Sequence, residues 1–183
     1  MSGGLTYAPP PQEEAPGRAG WAPLAGQLVA VLAIFAAAGA GCGWLWFRLW
    51  DPPQGVAFEG KWYLDEDGLR GVFSSTGWFV VVAAGAGLVL GVVCALLFTR
   101  SELVTLLAVL LGASLATFLM WRVGLALSPA DPHALARAAA DGDHIPGRIE
   151  ASGFSPFLVL PTMALGALAL AYATLPKRVR TGG

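Results

Sequence analysis

The sequence predicts an all-α integral membrane protein: a four-helix transmembrane bundle carrying a small extracytoplasmic cap. Three observations predict it. Of 183 residues, 56% are hydrophobic and only 13% are charged, against roughly 25% charged in soluble domains. Four apolar stretches, Leu24–Trp50, Thr76–Phe98, Leu103–Leu127 and Phe154–Leu175, each reach or exceed the ~20 residues a helix needs to cross the hydrocarbon. Two of the three connections are long and polar enough to form a cap, whereas the middle one is a short link.

Residues 1–21 open with "MSGGLTYAPPPQEEAPGRAG". The stretch is rich in Pro and Gly and has no basic n-region, so it reads as a disordered cytoplasmic tail rather than a signal peptide. The membrane domain is expected over 22–176, followed by a basic cytoplasmic tail over 177–183. The first span is too long to stand upright and must tilt or project from the bilayer. It carries Gly39 and Gly43 in G-x-x-x-G spacing and ends in "WLWFRLW".

Loop one suggests a β-hairpin, with "KWYL" and "LRGVF" flanking the turn "DEDG". Asp67-Gly68 suits positive φ, and the flanks are rich in aromatic and branched residues. Asp65, Glu66 and Asp67 then fall at the tip. They lack the spaced ligands and closing Glu of a calcium loop, and a solvated turn is the simpler account.

The second span contains Gly87 and Gly91, again in G-x-x-x-G spacing, and the third contains Gly112 with Ser114 and Ala116. Small residues let helix backbones approach closely in a membrane. They serve either packing within one bundle, the simpler use, or self-association and docking on a membrane-protein partner.

Loop two predicts a short helix: Asp131 caps it, Pro132 takes its first position, and "HALARAAA" carries it to Gly142. His133 and Arg137 share a face, and His144 follows in "DGDH". No H-E-x-x-H or equivalent spacing is present, so no metal ligand is assigned. Pro156 and Pro161 are placed to kink the start of the fourth span. "WFR" and "MWR" each precede an Asp-Pro pair, and "SSTGWF" and "EASGFS" open the second and fourth spans. The matches are short, and duplication and chance both remain open. Cys42 and Cys94 lie at different depths on antiparallel spans, too far apart for a disulfide.

Lys177, Arg178 and Arg180 follow the fourth span, Arg100 lies in the short link and Arg18 precedes the first span, while the two long loops are acidic on balance. Lys and Arg accumulate on the cytoplasmic side. Both termini are therefore expected in the cytoplasm of a plasma-membrane, multi-pass protein. Six tryptophans then gather near the outer face: Trp44, Trp46, Trp50, Trp62, Trp78 and Trp121. Arg48 and Arg122, with Trp46, Trp50, Trp78 and Trp121, suggest a rim for an anionic lipid headgroup. Ordinary snorkelling and an aromatic belt explain the same residues more simply.

No Asp, Glu, Lys or His lies deep within any span, where such groups mark ion paths or proton relays. No nucleophile–base spacing and no cofactor motif is present, so no catalytic residue or cofactor is assigned. The few dispersed basic residues argue against nucleic-acid binding.

"WLWFRLWDPP", "DEDG", "GLVLG" and "LPKRVR" together resemble the small four-span membrane proteins of high-GC actinobacteria that carry a domain of unknown function. The resemblance covers most of residues 22–180. It implies a plasma-membrane location and carries over no catalytic residues. The expectation is a non-enzymatic accessory or structural component of the cell envelope, with the lipid bilayer and a membrane-protein partner or a second copy as its contacts. The alternative is a small lipid- or solute-handling transporter using the Arg/Trp rim.

Overall fold

The computed structural model describes residues 21–64, 66–98 and 102–174. The N-terminal tail, Asp65, Arg100 and the basic C-terminal tail, on which part of the expected topology rests, lie outside the described residues. The elements run α1 (Trp21–Leu49), β1 (Gln54–Phe58), β2 (Lys61–Leu64), α2 (Glu66–Leu97), α3 (Glu102–Leu127), α4 (Pro132–Ala136), β3 (His144–Pro146) and α5 (Ser155–Thr174). Among the described residues, four helices are long and apolar enough to cross a membrane, and they match the four expected spans.

Their outward flanks support that reading. Val29, Val81, Val89, Leu96, Leu107, Leu111, Phe118 and Leu170 are all exposed, the reverse of a water-soluble helix bundle. On α2 the exposed apolar stripe begins at Leu69 and Phe73, well before the expected start of the span at Thr76. From Leu69 to Leu97 the helix is about 43 Å long at about 1.5 Å per residue. That length matches a bilayer including its headgroup layers, ~40–45 Å.

Glycine contacts reveal how the helices pair. A Cβ on Gly39 would fall within 3.0 Å of Ala116 backbone atoms, and one on Gly43 would do the same at Met120. Gly87 and Gly91 stand in the same relation to Leu160 and Ala164. In both cases rising numbers meet rising numbers, so α1 lies parallel to α3 and α2 lies parallel to α5. The two pairs then meet chiefly through α3 and α5. Gly112 completes the α1–α3 seam by receiving the Phe35 ring. All five glycines singled out for packing are thus used inside the bundle. Pro156 sits in the first turn of α5, where no N–H is needed, and Pro161 is buried in its interior.

Two local expectations are corrected. "LRGVF" is helix rather than strand, because α2 begins at Glu66. Leu69 and Phe73 fit a helical stripe as well as they fit alternation, and Glu66 and Asp67 in the first turn complement the helix dipole. The hairpin of loop one lies earlier and joins "QGVAF" to "KWYL", with Val56 opposite Tyr63 and Phe58 opposite Lys61. Its two-residue turn is Glu59-Gly60, both at positive φ, 50° and 70°, as a primed hairpin turn requires. Glu59 is a non-glycine residue held there while its N–H donates to Asp141 Oδ1 at 2.8 Å.

In loop two, α4 forms as expected, with Pro132 at its start and Asp131 Oδ1 accepting the His133 N–H at 3.0 Å. It stops at Ala136 instead of continuing to Gly142. The chain must reverse at Gly142, φ 95°, to bring β3 antiparallel to β1. The two loops therefore build one three-stranded sheet, ordered β2-β1-β3. Its inner face buries Ala57 and Ile145 against Ala136. The Trp62 ring lies over Gly55 and donates its N–H to the Ile145 carbonyl at 3.1 Å.

Candidate functional site at the loop end of the bundle

The expected rim residues lie at the end of the bundle that carries the sheet, but they divide into two groups. Trp46 is fully buried. Its ring packs over Gly124 and meets Phe79 edge-on, with centroids 4.9 Å apart at 78°. Its N–H donates to the Ser75 carbonyl at 2.8 Å. Trp50, one helical turn further on, is also buried. These two rings point into the junction of bundle and sheet, so they do not line a headgroup rim. The 3.6-residue turn places both on the same inward face of α1 as Gly39 and Gly43.

Arg48 and Arg122 are exposed. Each guanidinium lies over a tryptophan of its own helix, Arg48 over Trp44 at 5.5 Å and Arg122 over Trp121 at 6.0 Å. Cation–π contact of this kind holds the charge at the surface while its stem covers apolar area. Trp78 is 38% exposed. Trp121 is half-buried, with its ring 6.1 Å from those of Phe118 and Phe157. The exposed part of the rim is thus two separate Arg–Trp stacks with Trp78.

Sequence reasoning missed the segment that closes this end, Gly147–Ser152. Gly147 N–H donates to the Pro53 carbonyl at 2.7 Å, and Ile149 N–H to Ser128 Oγ at 2.8 Å. Ser75 Oγ donates to the Glu150 carbonyl at 2.8 Å and accepts the Glu150 N–H at 3.3 Å. Ser152 N–H reaches Thr76 Oγ1 at 3.1 Å. Hydroxyls from within α2 and from just beyond the end of α3 thereby satisfy the backbone of the strap. Within that strap Arg148 is half-buried, and its Nε has no hydrogen-bond partner. The Nε1 of Trp50 is in the same condition.

At the opposite end a second polar group went unremarked in the sequence. Gln27 Nε2 donates to Thr105 Oγ1 at 2.8 Å, both residues being buried. The Phe98 carbonyl accepts from Thr105 Oγ1 at 3.3 Å and from the Tyr172 hydroxyl at 3.2 Å. The four helices are linked there by neutral groups, and a search for intramembrane charge passes over them.

Glu66 and Asp67 are exposed at the start of α2, and Asp67 lies 4.0 Å from Arg70, a surface pair of little energetic weight. His133 sets its ring edge-on to Trp62, centroids 5.7 Å apart, while His144 stands opposite Val56 on the sheet. Among the described residues no group of three or more His, Cys, Asp or Glu is arranged to hold a metal ion. An open groove of about 460 Å³ runs between Asp51–Gln54 and the first turns of α2, with Asp67, Arg70 and Ser74 on its far side.

The fold is that of a mostly helical chain whose four long apolar helices are compatible with a multi-pass membrane protein. No protein-family model, no curated protein and no solved structure matches the chain.

Proposed function

We propose that this is a multi-pass plasma-membrane protein that acts without catalysis, as an accessory or structural component of the cell envelope, with both termini cytoplasmic. One observation carries the reading. The glycine seams Gly39/Gly43 and Gly87/Gly91 are closed on Ala116, Met120, Leu160 and Ala164 of the same chain, and the sheet is strapped across one end of the bundle. Tight seams of this kind favour a rigid scaffold over a bundle whose helices must slide apart to pass a solute.

Native mass spectrometry after mild extraction from the source membrane tests it. A stoichiometric protein partner supports the accessory role, and a chain that extracts alone and binds nothing sinks it. For orientation, Lys61→Cys in a background without Cys42 and Cys94 places an exposed thiol on the sheet. Labelling by an impermeant reagent in intact cells supports the stated sidedness, and labelling only after lysis reverses it.

The second reading, a small lipid- or solute-handling protein, is favoured by the exposed Arg48–Trp44 and Arg122–Trp121 stacks. Recovery of a homo-oligomer with bound anionic lipid, and no protein partner, turns the choice toward it.

A further inference from the structure

We propose that Arg148 and Trp50 form a binding site for a phosphate-class oxyanion at the junction of bundle and sheet, a site beyond the accessory role and separate from the Arg48/Arg122 rim. Trp50 is 6% exposed, and its indole N–H meets no acceptor. Arg148 is half-buried. Its Nε is shielded from solvent without an acceptor, and the guanidinium makes no ion pair with a described residue. Indole and guanidinium are donors only, so neither can satisfy the other. A buried donor left without an acceptor carries a desolvation penalty that a ligand oxygen would relieve.

The two residues are brought to one place from two directions. Trp46 lies against Gly124, and one turn further along these parallel helices come Trp50 and Ser128. Ser128 Oγ holds Ile149, the residue after Arg148. Gly147, the residue before Arg148, is held by Pro53, three residues after Trp50. The partial exposure of Arg148 leaves a ligand a way in.

The chemistry points to one ligand class. Nε and one Nη of a guanidinium form a planar fork matching two oxygens of a phosphate, and an indole N–H supplies a third, neutral donor. Asp51 and Glu150, the carboxylates nearest in sequence, are exposed and make no ion pair with Arg148. No described group meets either donor, which leaves both free for the oxygens of a ligand. Phospholipid headgroups and free phosphate both offer them.

The test uses the full-length protein, stripped of lipid in an uncharged detergent. Binding is read by native mass spectrometry and by the thermal midpoint. The probes are inorganic phosphate, short-chain phosphatidylglycerol and, as a phosphate-free control, short-chain diacylglycerol. A phosphate-bearing probe is expected to bind and raise the midpoint, and diacylglycerol is not. Arg148→Gln should weaken binding roughly tenfold or more. Trp50→Phe, which keeps the ring and removes the N–H, should weaken it a few-fold. Saturation by inorganic phosphate alone assigns free phosphate, and binding of phosphatidylglycerol only assigns the headgroup. Without ligand, Arg148→Gln should melt at or above the wild-type temperature because it removes an unpaired charge. A large fall there, binding indifferent to Arg148→Gln, or no binding of either phosphate probe would each overturn the proposal.

Discussion

Trp46 donates its indole N–H to the carbonyl oxygen of Ser75 across 2.8 Å, joining the end of α1 to the part of α2 where the strap from loop two also arrives. The same Ser75 exchanges two hydrogen bonds with Glu150 through its hydroxyl. Side-chain and backbone groups of one residue thus link α1, α2 and the strap in a site that excludes water. Trp46→Phe keeps most of the ring packing on Phe79 and Gly124 but leaves the Ser75 carbonyl without its indole partner. The expected loss is about 1–2 kcal/mol, read as a lowered midpoint in thermal unfolding in detergent. Trp44→Phe, on the exposed side of the same helix, should stay within about 0.5 kcal/mol of wild type. Equal effects of the two substitutions would show that the bond adds nothing.

Glycines within one helix should behave oppositely. A methyl group on Gly43 meets Met120 and Val123, and one on Gly87 meets Leu160 and Met163, whereas Gly41 and Gly85 have nothing within 4 Å. Gly43→Ala and Gly87→Ala are expected to cost about 1–3 kcal/mol by forcing the helix pairs apart. Gly41→Ala and Gly85→Ala should be neutral or slightly stabilising, since alanine is the better helix former. Unfolding midpoints of the four variants check this. If Gly43→Ala and Gly87→Ala instead changed only the oligomeric state, the seams would have to lie between chains.

The four long apolar helices were legible because apolar length is a strong signal that neighbouring contacts rarely override, and the glycine spacings fall where α1 meets α3 and α2 meets α5. Which helix each seam faces was not legible. Parallel pairing of α1 with α3 and of α2 with α5 is a choice among partners that one sequence does not encode as a pattern. Around Asp65–Phe73 the local signals conflict. Asp67-Gly68 suits a turn, yet Leu69 and Phe73 also sit four apart, and the structure continues the helix. The true hairpin turn is Glu59-Gly60, where glutamate at φ 50° is a poor local choice supported by Asp141 from the other loop. The inward turn of Trp46 and Trp50 was hidden for a similar reason. Interfacial and buried tryptophans look alike until the helix face is known, and Arg148 drew no notice in a loop that looked solvated.

Pairing of β1 with β3 makes the two loops one body, and this can be trapped covalently. Val56 and His144 are partners across the strands and both are exposed. Cα atoms of paired antiparallel residues lie about 4.5–5.5 Å apart, within disulfide reach. Val56→Cys with His144→Cys, in a background lacking Cys42 and Cys94, should cross-link under mild oxidation. A cleavage site inserted in the α2–α3 link would make this visible, because the halves then separate on a gel only after reduction. Separation without reduction would mean that the loops do not share a sheet.

The bond between Gln27 and Thr105 joins α1 to α3 at the far end of the bundle, and its worth is open to a double-mutant cycle. In hydrocarbon an unmet amide is expensive, but the unfolded helix in a membrane also finds partners. Measured interhelical bonds accordingly average only about 0.6 kcal/mol and reach about 1.7. The Gln27–Thr105 contact is 2.8 Å long, is fully buried, and continues through Thr105 to the Phe98 carbonyl, which Tyr172 also reaches. Shared acceptors and donors of this kind couple their members. Gln27→Leu and Thr105→Val should therefore each destabilise, and the double variant should cost less than the sum of the two by about 1 kcal/mol or more. Tyr172→Phe should leave that coupling equal or slightly larger, because it removes a competing donor from the Phe98 carbonyl. Strict additivity of Gln27→Leu and Thr105→Val would reduce the cluster to isolated polar groups that merely tolerate one another, and α1 would then be held to α3 by its glycine seam alone.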